Sequence, residues 1–437
     1  MKKNTVYIET YGCQMNEYDS GIVKSILKEN GFSDSKSPED ADLILLNTCA
    51  VREKAHEKVF GRLENLSHLK QKNPDLLIGV LGCMAQNLGE KISEKGLSVD
   101  IILGPDNYRD LPDLLLKKDE KNDHQTLSRT ILSRDETYEN IEPMVVRGKL
   151  AFVTIMRGCN NFCTFCVVPY TRGRERSRSG SSIIHEIQNL VNQGIKEVTL
   201  LGQNVNSYTY EKTDFTDLVK NILDQTEIER LRFTSPHPMD FPEKLLKLMA
   251  DEKRFCSHIH LPLQSGSSTV LKRMKRGYSR EDFLNLINFI RKSVPGVGIT
   301  TDIIVGFSGE TDSEFQETLS AVRESKFDMA YMFKYSEREN TVASKNYPDD
   351  VPEDIKKERL NQLIQVQNGI SKEINLLEIG TYHDVLIEGP SKRSEESSAG
   401  RTSSNKVVIL PGVFESGKIV KVKITDSTQA TLFGSPV

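Results

Sequence analysis

The sequence predicts an α/β protein in three parts: an N-terminal doubly wound parallel sheet, a central partial β/α barrel and a small all-β barrel at the end. Three observations lead there. Strand-like apolar runs alternate with helix-period stretches through the first 117 residues, about six further strand–helix units follow from residue 150, and beyond residue 379 the pattern shortens to strands separated by turn residues. A chain of 437 residues is long enough for two or three such units.

Each element has its own signal. Strands are expected at 6–10 (VYIET), 42–48 (DLILLNT), 76–82 (LLIGVLG) and 99–104 (VDIILG), with helices around 17–30, 52–72 and 85–95 between them. The charged, weakly periodic segment 117–148 reads as a linker or surface excursion. The second series has strands at 150–156, 197–202, 230–235, 257–263, 296–306 and 328–336, separated by helices at 181–193, 215–225, 241–251, 280–293 and 311–325 and followed by a longer one at 352–378. In a β/α barrel the reactive site lies at the C-terminal ends of the strands. The final 60 or so residues offer four short strands and a polar loop, 391–405 (SKRSEESSAGRTSSN), consistent with a five-stranded barrel.

Composition narrows the function. With 37% hydrophobic and 27% charged residues and a net charge of −4, overall charge does not hold this chain to nucleic acid, though local basic patches remain open. No apolar run approaches the roughly 18 residues of a membrane span. The opening MKKNTVYIET turns into a strand pattern, not a signal peptide. The expected compartment is the cytoplasm, where thiols stay reduced and seven cysteines suggest metal ligation or catalysis.

Three of those cysteines, Cys159, Cys163 and Cys166, stand in RGCNNFCTFCVVPYTRG just after the first barrel strand. A structural zinc site needs four closed ligands, and a redox pair needs only two. Three thiolates suit a [4Fe–4S] cluster with one iron open to a small molecule. Cys13, Cys49 and Cys83 are each unremarkable, since a lone cysteine is usually a buried hydrophobe. Yet each lies just past the C-terminal end of one of the first three strands of one parallel sheet, where side chains line a common crevice. They form a second candidate three-thiolate site. Cys256 has no such partners and reads as core, and His258 and His260, alternating on a strand, read as core or barrel-facing.

The C-x-x-x-C-x-x-C spacing, with aromatic Phe165 before the last cysteine, resembles the radical S-adenosylmethionine (SAM) superfamily. The further stretches YGCQMNEYDS, NTCAVREKAHEKVFGRL, GVLGCMAQ, LLGQNVNSY, HLPLQSGSSTVLKRMKRGYS and DIIVGFSGET extend the resemblance, over essentially the whole chain, to the radical SAM methylthiotransferases. Tyr11 and the run Gln14–Met15–Asn16 favour the branch that acts on tRNA bearing N6-isopentenyladenosine over those acting on a ribosomal-protein aspartate or on threonylcarbamoyl-adenosine. A non-catalytic iron–sulfur RNA-binding protein is the alternative of a different class, and a SAM pocket disfavours it.

The resemblance implies three domains: 3–119 for the auxiliary cluster, 145–375 for the radical SAM core and 378–437 for a TRAM domain that binds RNA and is separable from the SAM site. It implies two [4Fe–4S] clusters, on Cys13, Cys49 and Cys83 and on Cys159, Cys163 and Cys166, with two SAM molecules per turnover. The implied reaction adds a methylthio group at C2 of the adenine 3′ of the anticodon. An aromatic C–H is too unreactive for acid–base displacement, so cofactors must carry the chemistry. For SAM the resemblance marks Phe165, Gly202, Gln203, Asn204, Gln264, Ser265, Gly306 and Glu310. No catalytic residue beyond the cluster ligands is singled out. Basic clusters beside the barrel motifs (Arg172, Arg174, Arg176, Arg178; Lys272, Arg273, Arg276) and in the terminal polar loop (Arg393, Arg401) are expected to meet tRNA phosphates. The expected partners are the tRNA anticodon stem-loop, an electron donor and a sulfur source, with no membrane and a monomeric chain.

Overall fold

The computed structural model describes residues 4–50, 53–94, 97–121, 125–143 and 148–437. Six parallel strands form the first sheet: β1 (Thr5–Tyr11), β2 (Ser33–Asp34), β3 (Leu43–Thr48), β4 (Leu77–Gly82), β5 (Ile101–Leu103) and β6 (Leu127–Arg129), in the order β2-β1-β3-β4-β5-β6. Four helices cover it: α1 (Gln14–Glu29), α2 (Glu53–Lys72), α3 (Cys83–Glu94) and α4 (Leu111–Lys121). The alternation within β3 shows why both faces are covered. Leu43 and Leu45 pack with Tyr18 and Ile22 of α1 and Leu111 of α4, whereas Ile44 and Leu46 pack with Val59 and Leu63 of α2 and Met84 of α3. The chain reverses direction in the sheet between β1 and β3, and outside such a switch point a parallel sheet leaves a crevice.

Strand β6 corrects the expectation for 117–148. Part of that segment lies outside the described residues, but 127–129 extend the sheet beside β5, and Tyr138 and Ile141 are buried against its helices.

The barrel strands are β7 (Leu150–Thr154), β10 (Glu197–Leu201), β13 (Arg230–Phe233), β14 (His258–His260), β15 (Gly298–Val305) and β16 (Met329–Lys334); two-residue ladders β8 (Met156–Arg157) with β9 (Arg176–Ser177), and β11 (Thr209–Tyr210) with β12 (Thr213–Asp214), lie in its loops. The barrel is two parallel half-sheets, β13-β10-β7 and β14-β15-β16, joined by one bridge between Leu231 and Phe255. Helices α5 (Val168–Thr171), α6 (Gly180–Asn192), α7 (Phe215–Gln225), α8 (Glu243–Asp251), α9 (Ser268–Arg273), α10 (Arg280–Ser293), α11 (Asp312–Ser325), α12 (Val342–Asn346) and α13 (Glu353–Leu376) complete it. Asp214, Ser279 and Thr311 each close a reciprocal capping box at the start of α7, α10 and α11.

The last strands, β17 (Tyr382–Ser391), β18 (Ser394–Arg401), β19 (Val407–Pro411), β20 (Ile419–Ser427) and β21 (Leu432–Pro436), close into a barrel. Strand β18 runs through what the sequence presents as the polar loop 391–405. It pairs on both sides, with β17 and β19, so closure compensates for its lack of apolar alternation. This small barrel is docked, not free-standing. Arg230 donates to the carbonyls of Arg401 (2.8 Å) and Asp384 (2.6 Å), and Arg232 to those of Ser403 (2.9 Å) and Thr402 (2.7 Å). Arg230 opens β13, so the docking surface is the floor of the β/α barrel, opposite the strand ends that carry the cysteines. Among the described residues no helix is long and apolar enough to cross a membrane.

Candidate active site: two cysteine triads with a shared wall

Cys13 follows β1, Cys49 follows β3 and Cys83 opens α3 directly after β4, so the first triad straddles the switch point of its sheet. Local backbone makes this possible. Gly12 has φ +156°, and a Cβ there would lie 2.8 Å from Cys49 Cβ; Gly82 has φ +90° and would meet Asn47 Oδ1 at 2.4 Å. Glycine before the cysteine therefore lets neighbouring strand ends approach closely. Asn16 and Asn47 hold the strand ends together: Asn16 Nδ2 donates to Asn47 Oδ1 (3.1 Å) and to the Thr48 carbonyl (3.0 Å).

The second triad has the same grammar. Gly158, φ +79°, precedes Cys159, and a Cβ there would run into the Arg174 carbonyl. Cys159 N–H donates to the Gly173 carbonyl (3.1 Å) and Thr164 N–H to that of Met274 (3.0 Å). Gly158 N–H donates to Gln203 Oε1 at 2.6 Å, so Gln203 holds this loop to the end of β10. Arg276, buried, donates to Cys163 Sγ at 3.1 Å.

The two triads adjoin. Val167, next after Cys166, packs on Cys83 and on Ala50, the neighbour of Cys49. Across that wall Asp19 of α1 accepts from Arg157 at 2.6 Å and from Arg172 at 2.8 Å, all three side chains being almost wholly buried. The Arg172 guanidinium also faces the Cys83 and Cys13 thiols.

Among the described residues no three Cys, His, Asp or Glu side chains stand at the close spacing of ligands around a single ion. A four-iron cluster is a larger body than one ion, and its thiolates approach from farther apart. The donor chemistry fits it: three cysteines per site, no histidine, and a buried arginine beside each set to offset thiolate charge. The Cys49 hydrogen bond, with help from Arg172, lowers the Cys13 thiol to about 6. Burial pushes Cys159 to about 11 and Cys166 to about 12, and raises Cys83.

The strand ends around the second triad suit a polar ligand such as SAM. Asn204 Oδ1, Ser267 Oγ, His237 Nε2 and Glu310 Oε1 are buried without a hydrogen-bond partner. Buried polar atoms rarely stay unpaired. Glu310 is placed by Gly306 N–H (2.6 Å) and Arg359 Nη1 (3.0 Å), and burial lifts its carboxyl to about 7. Gly306, φ +71°, lets Lys356 approach to 2.5 Å from where a Cβ would be. Phe165 meets Phe307 edge-on at 6.5 Å. Gly202 is buried against Met156, and Gln264 adopts φ +66° at its strand end. Ser265 is different: its hydroxyl accepts from Ser267 N–H (3.2 Å) and meets Thr318 Oγ1 (3.3 Å), so it holds the turn to α11. His237 and Arg359 went unmarked in the sequence; a strand-end position was the available signal for His237.

Several expected phosphate contacts are corrected. Arg172, Arg176, Arg178 and Arg276 are buried. Arg176 pairs with Asp106 (2.8 Å) and Arg178 with Glu186 (2.7 Å), while Arg172 and Arg276 serve the cysteine loops. Arg273 is half-buried in a two-pronged pair with Glu314 (2.9 and 3.0 Å). Arg401 pairs with Glu388 at 2.8 Å. Arg174, Lys272 and Arg393 remain exposed, Arg174 lying over the Phe162 ring. Cys256 is buried, as read, and His258 and His260 both reach Thr300 Oγ1 at 3.0 Å.

Known proteins share these three units. Residues 5–104 match a family described as uncharacterized protein family UPF0004, 153–322 the radical SAM superfamily and 377–437 the TRAM domain. A solved radical SAM methyltransferase, TsrM from Kitasatospora setae with cobalamin and a [4Fe-4S] cluster bound, shares the fold: TM-score 0.56, 15% identity, covering 76% of this chain and 75% of that one. A tRNA-2-methylthio-N(6)-dimethylallyladenosine synthase from Parabacteroides distasonis is 48% identical over 99% of this chain and 95% of its own. One from Chloroherpeton thalassium is 48% identical over 99% of this chain and 96% of its own. With three matched units and similarity end to end, the chain belongs to the radical SAM family of tRNA-2-methylthio-N(6)-dimethylallyladenosine synthases.

Proposed function

We propose that this enzyme, a radical SAM methylthiotransferase, converts N6-isopentenyladenosine 3′ of the anticodon in tRNA to its 2-methylthio derivative, with Cys159, Cys163 and Cys166 holding one [4Fe–4S] cluster and Cys13, Cys49 and Cys83 a second. The observation that carries the two-cluster reading is the shared wall: Val167 packed on Cys83 and Ala50 sets two glycine-led cysteine triads side by side. When bound, the clusters and two SAM molecules supply the one-electron chemistry and the sulfur and methyl groups that an aromatic C–H requires.

The chain's own residues do the rest. Gln203 and Arg276 fix the second cysteine loop through the Gly158 N–H and the Cys163 sulfur. Asn204, Ser267 and Glu310 offer unpaired polar atoms to a bound SAM. With its carboxyl near 7, Glu310 can hold a proton at neutral pH. The sheet layer against β7 and β10, where Leu201 and Phe152 join the first core, keeps water from that side of the site.

Arg174, Lys272 and Arg393 are the exposed cations for tRNA phosphates. The functional units are 3–119, 145–375 and 378–437. An electron donor, a sulfur source, a monomeric chain and a cytoplasmic setting complete the reading, the last following from tRNA as substrate. Nucleoside mass spectrometry of tRNA from cells with and without the gene is the test. Loss of the 2-methylthio nucleoside, with its isopentenyl precursor accumulating, is expected; an unchanged nucleoside profile would refute the reading.

A further inference from the structure

The inner face of the second half-sheet carries side chains that neither the cysteine triads nor the docked C-terminal barrel uses. Strands β14, β15 and β16 set His260 opposite Thr300, Asp302 opposite Tyr331 and Ile304 opposite Phe333, and residues opposite one another share a face. Ile299 and Ile303, at the intervening positions, join the core under the helices, so this set faces the lumen. Met329, Tyr331 and Phe333, at alternate positions of β16, are 41, 48 and 39% exposed, although side chains ordinarily fill the interior of a small barrel. Strand β16 ends its half-sheet, so this apolar stripe borders the open side. Beside it runs a polar chain. A carboxylate only accepts, so the neutral His260 ring turns Nε2–H to Asp302 Oδ2 (3.2 Å) and its Nδ1 to the Thr300 hydroxyl (3.0 Å). His258 Nε2 meets the same hydroxyl at 3.0 Å. A carboxylate has room for about four hydrogen bonds, and Asp302 keeps 31% of its side chain exposed. The His260 ring meets Tyr331 edge-on at 5.8 Å, which joins carboxylate and stripe in one wall. That wall reaches the second triad, because Ile304 and Phe165 of the cysteine loop pack on one cluster around Phe307.

We propose that this wall seats the N6 end of the target adenine, Asp302 accepting the N6–H while Tyr331 and Phe333 cover the isopentenyl group. This rests on the reading that N6-isopentenyladenosine in tRNA is the substrate, and it names the residues that select it. The two surfaces are complementary. An N6-alkylated adenine presents an N–H donor beside a branched apolar chain on a flat ring; the wall presents an acceptor beside two aromatic rings. Positions 2 and 6 of the base flank N1, so a base held at N6 leaves C2 free to face the strand ends that carry the cysteines. His260 is a positioning residue, tied to Thr300 and Asp302 at once and so fixing the carboxylate. An unpaired loop base can be splayed out into such a lumen at little cost. None of these residues makes or breaks a bond; they bind and orient.

The test uses the reconstituted full-length enzyme with SAM and no reductant, so that nothing turns over. Fluorescence anisotropy follows anticodon stem-loops carrying adenosine, N6-isopentenyladenosine or an isopentenyloxy analogue in which oxygen replaces the N6–H. The parent is expected to bind the isopentenyl loop about tenfold more tightly than either other loop, the size of effect that covering a few methylenes or one hydrogen bond to a charged group produces. Tyr331→Ala and Phe333→Ala should erase the preference over adenosine and keep that over the oxygen analogue. Asp302→Asn should do the reverse, because its amide keeps the shape and can turn either a donor or an acceptor to the ligand. Preferences within about twofold of the parent in all three variants, or a parent that binds the three loops alike, would overturn the proposal. Self-association of the parent that Tyr331→Ala abolishes would give the wall to a second copy of the chain and overturn it too. The tRNA nucleoside profile tests the underlying reading separately: loss of the 2-methylthio nucleoside in cells lacking the gene, with unchanged preferences in the variants, keeps that reading and rejects the wall.

Discussion

Asp19 Oδ1 accepts a hydrogen bond from Arg157 Nη2 at 2.6 Å with neither side chain exposed to solvent. Because Arg172 takes the other oxygen at 2.8 Å, one carboxylate from the N-terminal sheet layer pairs with two guanidiniums from the barrel. Asp19→Ala would strand both cations in a buried site. Breaking a buried pair from one side costs about 3–5 kcal/mol, so denaturant unfolding of the cluster-free chain should show a loss of that order. A loss below about 1 kcal/mol would mean that water reaches the arginines.

Glu310 gives the pH dependence its sign. Burial raises its carboxyl to about 7 against the opposing pull of the Gly306 N–H and Arg359. Between the ordinary carboxylate value of 4.5 and about 7, the folded chain keeps a proton that the unfolded chain has released. The contribution of Glu310 to unfolding free energy therefore falls as pH rises through that window. Scanning calorimetry of Glu310→Gln beside the parent should show the parent losing more thermal stability between pH 5 and 7.5; parallel losses would remove Glu310 as the cause.

The sequence made some of this site legible and concealed the rest, for physical reasons. Strand-end cysteines could be gathered because parallel topology fixes where strand ends go, whatever the intervening sequence. The arginine run 172–178 could not be read, because its acidic partners Asp19, Asp106 and Glu186 lie far along the chain or on a different element. A charge run on paper is a solvated face; here Arg172, Arg176 and Arg178 turn inward and Arg174 alone of the four stays exposed. Strands β6 and β18 escaped because neither carries an apolar alternation: β6 is three residues added to an existing edge, and β18 is held by pairing on both sides.

Thiol reactivity separates the triads. In the cluster-free chain Cys13 is exposed and its thiol lies near 6, whereas Cys159 and Cys166 lie near 11 and 12. The thiolate is the nucleophile, so iodoacetamide should label Cys13 with a rate midpoint near pH 6 and leave the other two largely unreacted below pH 9. Peptide mass spectrometry across pH reads this directly. A Cys13 midpoint near 9 would show that neither Cys49 nor Arg172 acts on it.

Replacing each triad by Ala in turn should remove half the iron. Reconstituted parent is expected to carry about eight irons per chain and either triple variant about four, since each cluster has its own three ligands. The variant lacking Cys13, Cys49 and Cys83 should still cleave SAM, while that lacking Cys159, Cys163 and Cys166 should not. Iron unchanged in the first variant would make those three cysteines core residues.

Arg232 and the Thr402 carbonyl, 2.7 Å apart, decide what removal of the C-terminal barrel does. The sequence suggested an RNA-binding module whose removal weakens tRNA binding but spares SAM cleavage. Arg230 and Arg232 instead each place two N–H donors on its backbone, and Lys406 reaches Asp328 at 2.7 Å. The Ser404 carbonyl presses on Gly298, where a Cβ would stand 2.3 Å away. Deletion beyond residue 378 therefore uncovers two guanidiniums whose hydrogen bonds, being charged, are worth about 1.5–3 kcal/mol each. The truncated chain should melt at lower temperature and lose SAM cleavage on warming before the full chain does, as well as binding tRNA less tightly. Arg393→Glu isolates the RNA contribution, because Arg393 is exposed and outside that docking surface. It should leave the melting temperature unchanged while lowering the salt slope of anticodon stem-loop affinity by about one. An unchanged slope in Arg393→Glu would take Arg393 out of the RNA interface, and an unchanged melting temperature in the truncated chain would make the docking incidental.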